Sequence, residues 1–217
     1  MFDNIKWNRL DHAYGMANDT HEQLKNLLGA DFQLRNDSWE HFYSAVVHQG
    51  STYTVTPVVN EIFLSLIKDN HPALREDMSE FYLQKEIQRL EKLKEYINTA
   101  TNEKAREYWT KKYEEQKECI ESKKYKTVLL VDVIGWFRTL GYNLSEFISV
   151  FGKPEIPEIV LPSDVFFYIL NMADAIVNVL TPLTSDSDFM VAEKATKAIA
   201  VWKEIRDAEP HTEHGEG

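Results

Sequence analysis

Residues 7–15 read Trp7-Asn8-Arg9-Leu10-Asp11-His12-Ala13-Tyr14-Gly15, and residues 48–57 read His48-Gln49-Gly50-Ser51-Thr52-Tyr53-Thr54-Val55-Thr56-Pro57. Each stretch is typical of a helix that ends at a glycine, because glycine readily adopts the positive φ found at many helix ends. The second stretch also predicts the start of a new helix. Thr56 is expected to cap it, and Pro57 suits a first helical turn because the missing N–H is not needed there.

The composition extends this helical expectation to the whole chain. Its 217 residues include only 8 glycines and 7 prolines, and this scarcity disfavours a turn-rich β fold. The length is sufficient for one domain with a real core. We therefore expect an all-α fold, with a single domain over residues 1–208 and a disordered tail over residues 209–217.

The N-terminal part is expected to contain a hairpin of helices. The third helix is predicted from about Gln33 to His48, and the fourth carries the apolar stripe from Val58 to Ile67. The third helix should bury one face, formed by Leu34, Trp39, Phe42, Ala45 and Val46.

A long charged hairpin is predicted next, as an insertion over residues 76–123 that protrudes from the domain. The segment from Glu76 to Lys126 has twelve acidic and twelve basic residues, so the rest of the chain carries the whole negative excess. Narrow apolar stripes at spacings of three and four indicate two antiparallel helices around the break at residues 98–102. Two interpretations stay open: a solvated structural arm, or an arm that grips a partner.

The C-terminal half is predicted to form further helices. They are expected over residues 127–140, ended by Gly141, over 143–152, from a capping box to Gly152, over 163–180, and over 187–207. The prolines between residues 154 and 162 exclude a helix there. Together the helices predict antiparallel hairpins in a HEAT-like, α-solenoid-type array, with a closed bundle as the alternative.

Charge and cysteine usage restrict the class of partner and the compartment. The formal charge of −11 works against non-specific binding to nucleic acid and favours a basic protein partner. Cys119 is the only cysteine, so neither an intrachain disulfide nor a cysteine-based zinc site is expected. The sequence lacks the pattern of a signal peptide or of a membrane span. We expect a cytoplasmic protein.

The familiar catalytic signatures are missing. The sequence has no Gly-x-Ser-x-Gly elbow, no phosphate-binding glycine loop and no His-Glu-x-x-His helix, so an enzyme is disfavoured and no cofactor is expected. Asp132 and Arg138 stand out as charges in an otherwise apolar helix, where they either pair structurally or mark a site.

Histidines supply the one candidate metal site. His12, His41 and His48 could meet if the first and third helices pack, close to Asp11 or Glu40. The alternative is that these histidines are hydrogen-bonded at helix ends and only hold the helices together.

We call residues 7–19 the first signature and residues 48–57 the second signature. Their sequences resemble those of a known group of proteins. The pattern Trp7-x-x-Leu10-x-His12-Ala13-Tyr14-Gly15-x-Ala17-x-Asp19, then Arg35, then His48-Gln49-Gly50-x-x-Tyr53-x-x-Thr56-Pro57 resembles bacterial HEAT-repeat-like proteins of uncharacterised function. The resemblance covers about the first 67 residues. It implies a helical scaffold that acts through its surface, and some similar small acidic bacterial proteins look like immunity proteins, which neutralise a cognate toxin.

The function expected from this resemblance is non-enzymatic protein binding, with toxin neutralisation as its most specific form. A scaffold or adaptor of another complex is the alternative, followed by a metal-dependent enzyme. The expected protein-binding residues come from the ends of neighbouring elements: His12, Tyr14, His48, Gln49 and Tyr53. These residues could instead lock the first two hairpins together. The oligomeric state stays open.

Overall fold

The structure, a computed structural model, describes residues 2–48, 51–121, 128–157, 160–161 and 164–209, with the side chains of Tyr82 and Cys119 outside the description. The chain divides into two compact units. The first unit comprises Met1–Arg75 and Leu130–Gly217, and the hairpin unit comprises Glu76–Leu129.

Helices dominate the described residues, which confirms the all-α class. The α-helices are α1 Thr20–Leu27, α2 Phe32–His41, α3 Val55–Lys68, α4 Ser79–Thr99, α5 Glu103–Glu121, α6 Leu129–Phe151, α7 Val165–Asn171, α8 Ala173–Leu180 and α9 Phe189–Asp207. Short 3-10 turns lie at Trp7–Arg9, Pro72–Arg75 and Thr181–Ser185. Two-residue strands form two antiparallel pairs, β1 Asp11–His12 with β2 Gly15–Met16 and β3 Val47–His48 with β4 Ser51–Thr52.

The first signature forms a small β-hairpin and not the expected helix. Strands β1 and β2 pair across a tight turn, with His12 opposite Gly15. Gly15 has the predicted positive φ, 122°, but it sits in this hairpin and not at a helix end. Strands of two residues are too short to show the alternation that identifies a strand in sequence. Gly50 lies outside the described residues.

The third predicted helix is shorter than expected. Helix α2 ends at His41 and gives way to a π-helical turn, Phe42–Val46, before strand β3 begins. Phe42, Ala45 and Val46 are buried as predicted, whereas Leu34 is exposed because α2 and the π turn do not continue one helical face.

Thr56 does not cap helix α3 as predicted, because the helix begins one residue earlier, at Val55. Thr56 lies inside α3, where its hydroxyl accepts a hydrogen bond from the Tyr53 backbone N–H at 2.9 Å. The same hydroxyl donates to the Val46 carbonyl at 2.7 Å, so it joins the helix start to the π turn.

Helix α6 is the apolar centre of the first unit. From Leu129 to Leu140 it is buried nearly all round, as expected, whereas Val150 and Phe151 at its end are exposed. The Trp136 indole N–H donates to Asn60 Oδ1 of α3 at 2.7 Å. The rings of Trp39, Tyr43 and Phe63 surround Trp136, with centroids 5.5 to 6.2 Å from it. A buried indole requires such a partner, because an unpaired N–H loses its bonds to water.

The prediction that Gly141 ends this helix is wrong, since α6 runs without a break to Phe151. A Cβ at Gly141 would lie 3.0 Å from Val201 Cγ1 and 3.1 Å from Trp202 Nε1. Glycine therefore permits the close approach of α9, whose Trp202 indole donates to the Phe137 carbonyl at 2.8 Å. The helix ends instead at Gly152, which has a φ of 78°.

The predicted C-terminal helices are confirmed in part. The helix expected over residues 163–180 is broken at Met172 into α7 and α8, while Ser163 lies outside the described residues. Helix α9 follows the prediction closely, and its expected apolar face is buried: Val191, Ala195, Ala198, Ile199, Trp202 and Ile205. Asp188 caps α9 by accepting from the Met190 N–H at 2.9 Å.

The hairpin unit contains the two long helices that the sequence predicts. Helices α4 and α5 pack against each other, and the predicted apolar stripes coincide with their least exposed positions, apart from Ile87, which is exposed. Near the start of α4, Asp77 pairs with Val128 in an isolated antiparallel bridge.

Helix α3 ends in a Schellman motif centred on Asn70. The His71 N–H donates to the Leu66 carbonyl at 3.0 Å and the Asn70 N–H to the Ile67 carbonyl at 3.1 Å. Asn70 has a φ of 49°, and asparagine and glycine are the residues that adopt this conformation most readily.

Replacement of Gly141 by alanine should destabilise the first unit. The added methyl group would meet Val201 and Trp202, and such overpacking costs about 1–3 kcal/mol. Gly135→Ala is the matched control in the same helix, because nothing lies within 4 Å of its Cβ. That variant should gain roughly 0.5–1 kcal/mol from helix propensity. Urea unfolding of both variants checks this, and similar effects would contradict the close packing of α9 on α6.

Replacement of Asn70 tests the Schellman motif. Asn70→Val should lower the free energy of unfolding by roughly 1–2 kcal/mol, because a β-branched residue is strained at positive φ. Asn70→Gly should leave it unchanged or slightly higher. Asn70 is exposed, so lost packing does not complicate the comparison, which thermal unfolding can make. Equal stabilities for the two variants would show that the positive φ is not required.

Candidate functional site

The β1–β2 hairpin places the first-signature residues against the π turn. The Ala13 N–H donates to the Ala45 carbonyl at 2.9 Å, and the Asp11 N–H donates to Thr54 Oγ1 at 2.7 Å. The last carbonyls of the π turn have no helical partner because the helix ends at Val46, so they can accept from neighbouring segments. The hairpin backbone is thus tied to both the π turn and the start of α3.

His12 is buried and holds two parts of the first signature together. Its Nδ1 accepts from the Tyr14 backbone N–H at 3.1 Å, and its Nε2 lies 2.9 Å from Asp19 Oδ1. A ring nitrogen that accepts an N–H carries no proton, so the neutral ring has its proton on Nε2, facing the carboxylate. His12 therefore donates to Asp19 in a fixed tautomer.

His41 joins this pair from the end of α2. Its Nε2 is buried and lies 3.7 Å from Asp19 Oδ2, and its ring centroid is 5.6 Å from that of His12. Burial lowers the pKa of His41, the Asp19 charge partly opposes this, and His12 adds to the lowering. The imidazole is consequently held in its neutral form.

The cluster of His12, Asp19 and His41 is the candidate metal site of the described residues. One ligand atom from each lies within 4.8 Å of the others. A metal on His12 Nε2 would move that ring's proton to Nδ1, where the Tyr14 N–H already points. The cluster in its present hydrogen bonding is a structural lock, and metal binding would require the Tyr14 amide to turn away.

The expected third histidine is not part of this cluster. His48 Nδ1 lies 2.8 Å from the Ser44 carbonyl, and its ring centroid is 5.6 Å from that of Tyr14. The structure thus brings His12 and His41 together, with Asp19 in the place foreseen for His48. Asp19 belongs to the same N-terminal pattern as His12, and this membership was the signal available in the sequence.

The five expected interface residues have different surroundings. His12 is buried, and His48 and Tyr53 are partly exposed. Tyr14 is 65% exposed, and its neighbour on β2, Met16, is 48% exposed. Gln49 lies outside the described residues. Tyr14 and Met16 thus form an exposed hairpin edge, and Met16 was missed because no pattern in the sequence marks it.

Asp132 and Arg138, the charged residues that stood out in the apolar sequence of α6, are partly exposed. Arg138 lies over the ring of Tyr142, with its guanidinium carbon 5.3 Å from the centroid. Burial raises the pKa of Tyr43 to about 12, a hydrogen bond with Thr139 opposes this rise, and the negative charge of Asp132 adds to it. This tyrosine stays protonated and is a structural side chain.

A cleft of about 440 Å³ lies between the end of α3 and the α8 region. It is lined by Ile67, Lys68, Asn70, Ala175, Asn178, Val179, Pro182 and Leu183. This lining includes neither a histidine nor an acidic side chain, so it offers no acid–base pair.

Comparison of the chain with protein-family models, curated proteins and solved structures finds no match. Among the described helices, none alone has the length and apolarity of a membrane crossing. The sequential pair Val165–Asn171 and Ala173–Ser185, bent by 41°, meets those criteria only when taken together.

His41 should make stability fall with decreasing pH. Its ordinary pKa is 6.5 and its folded pKa is lower, so the unfolded chain takes up a proton first as the pH drops through about 6.5. The free energy of unfolding should therefore decline between about pH 7.5 and 5.5, and His41→Gln should flatten that decline. Chemical unfolding at several pH values measures it.

Asp19→Asn provides the matched control for this titration. It keeps His41 and removes the charge that raises its pKa, so the decline should persist. A decline of the same size in wild type and His41→Gln would contradict the assignment.

Proposed function

We propose that this chain is a non-enzymatic, protein-binding helical scaffold, with its helical hairpins arranged as a HEAT-like array. The observation that carries the proposal is Tyr14, an aromatic side chain that is 65% exposed on an immobilised backbone. Its amide donates to the buried His12 ring, and the adjacent Ala13 amide donates to the π turn. A pre-ordered aromatic side chain loses little entropy on binding, which favours its use as an interface anchor.

The surroundings of Tyr14 support a protein partner. His48 packs against the Tyr14 ring at 5.6 Å between centroids, and Met16 extends the exposed apolar edge. Aromatic residues and methionine are enriched in protein interfaces. We define this surface, made of Tyr14, Met16 and His48, as the hairpin edge.

Charge supports a basic partner. Asp11 and Asp19, beside the hairpin edge, are exposed, and the chain carries a formal charge of −11. Such a surface accelerates association with a basic protein and repels acidic ones.

The most specific form of the proposal is a bacterial immunity protein of the cytoplasm that neutralises a cognate, basic toxin. The resemblance of the two signatures and the acidic charge support this form. A scaffold or adaptor of another cellular complex is the second candidate. A metal-dependent enzyme is the third, and the grouping of His12, Asp19 and His41 within 4.8 Å is the observation that favours it.

A photo-crosslinking amino acid at position 14 tests the hairpin edge. Expressed in the native host, this chain should form one major protein adduct, whereas the same amino acid at Phe189 should not. Phe189 is the matched control because it is also aromatic, 74% exposed and part of the first unit. Similar adducts from both positions would contradict the proposed surface.

The captured protein then tests binding and immunity. Tyr14→Ala keeps the backbone hydrogen bonds, so it should weaken binding by about tenfold or more without loss of fold. Association should slow with salt, and co-expression of wild type should protect cells from the captured protein. If the purified chain instead holds a stoichiometric transition metal that His12→Ala releases, the enzyme candidate replaces the scaffold.

A further inference from the structure

The end of the hairpin unit carries an exposed aromatic cluster. Tyr96 of α4 and Tyr108 of α5 both contact Trp109, with ring centroids 4.9 and 4.8 Å from the indole. Tyr96 is 46% exposed and Tyr108 is 54% exposed. We define these three residues as the distal aromatic cluster, since they lie near the turn that joins α4 to α5.

The hairpin unit is electrically polarised along its length. Residues 89–112, which surround the turn, contain seven basic and four acidic side chains, a net charge of +3. The remaining residues 76–88 and 113–129 contain five basic and eight acidic side chains, a net charge of −3. The unit is neutral as a whole, so its total charge does not reveal that the end near the turn is basic.

This separation of charge persists in physiological salt. Helix α4 has 21 residues and therefore rises about 32 Å, whereas charges are screened over roughly 8 Å. A molecule that approaches the distal aromatic cluster therefore experiences the local positive charge. The ion pairs there, such as Arg106 with Glu103 at 3.2 Å, are exposed and easily exchanged for contacts with a partner.

The mixture of charges favours a protein over a polyanion. Glu95, Glu103 and Glu107 are exposed around the cluster, and a protein surface that is acidic on balance can still place single lysines or arginines opposite them, whereas a phosphate backbone or an anionic membrane has no cations to do so. Tyrosine, tryptophan and arginine are also the residues that dominate protein interfaces. The complementary surface is an acidic protein surface, and the first unit of this same chain supplies one, because it carries the whole charge of −11.

We propose that the basic distal aromatic cluster docks on the acidic first unit of a second copy, so that the chain self-associates through pairing of unlike surfaces. The two copies repel each other elsewhere because both are acidic. Contact between unlike surfaces adds a local attraction that opposes this repulsion. This self-association does not require the proposed partner at the hairpin edge.

Sedimentation velocity of the full-length protein tests the inference. The average mass should rise with protein concentration in about 50 mM salt, and the rise should weaken in about 500 mM salt. A protein that stays monomeric up to millimolar concentration in low salt overturns the proposal, as does association that salt does not affect.

Matched variants locate the contact. Tyr108→Ala should raise the self-dissociation constant by about tenfold or more, while Ile87→Ala, an apolar side chain 37% exposed on α4 outside residues 89–112, should leave it unchanged. Lys104→Glu should weaken association, and Lys117→Glu, on α5 but outside residues 89–112, should not. Circular dichroism of each variant confirms that the fold is kept. An equal loss in the control variants would place the interface elsewhere and overturn the proposal.

A vesicle experiment distinguishes self-association from binding of the distal aromatic cluster to a membrane. Vesicles that contain phosphatidylserine should leave the protein in the supernatant. If the wild type is monomeric and pellets with these vesicles, and Tyr108→Ala does not, the distal aromatic cluster binds a membrane and the proposal is wrong.

Discussion

The first unit depends on the hydrogen bond between the Trp136 indole and the Asn60 side chain, at 2.7 Å in its core. Apolar packing alone would allow α3 and α6 to slide, because dispersion contacts have little directionality. A buried donor that must be paired fixes one register. One residue further along α6, the Phe137 carbonyl accepts from the Trp202 indole and fixes α9 in the same way.

The position of α3 then determines where the N-terminal segment lies. Thr54 and Thr56, at the start of α3, receive or donate hydrogen bonds that reach β1 and the π turn. His12 and Asp19 close the same region from the other side. The residues of the two signatures thus hold one small structure together, and Tyr14 is a side chain that this structure leaves exposed.

The sequence predicted features that depend on local periodicity and missed those that depend on tertiary approach. The stripes of α4, α5 and α9 were found because apolar spacing follows directly from burial of one face. Gly141 was misinterpreted since a glycine that ends a helix and a glycine that admits a neighbour look alike in sequence. The proximity of His12 and His41 was predicted, whereas that of Asp19 was not. Residue type indicates that a polar side chain needs a partner, but it does not indicate which partner the fold supplies.

The π turn at Phe42–Val46 restricts the length of the chain around it. A π turn accommodates one residue more than an α turn, and each residue rotates a helix by about 100°. Loss of one residue there would restore an ordinary helix. The carbonyls of Ala45 and Val46 would then turn away from their donors, the Ala13 amide and the Thr56 hydroxyl. Relatives of this protein should therefore tolerate changes of residue type in this segment much better than insertions or deletions.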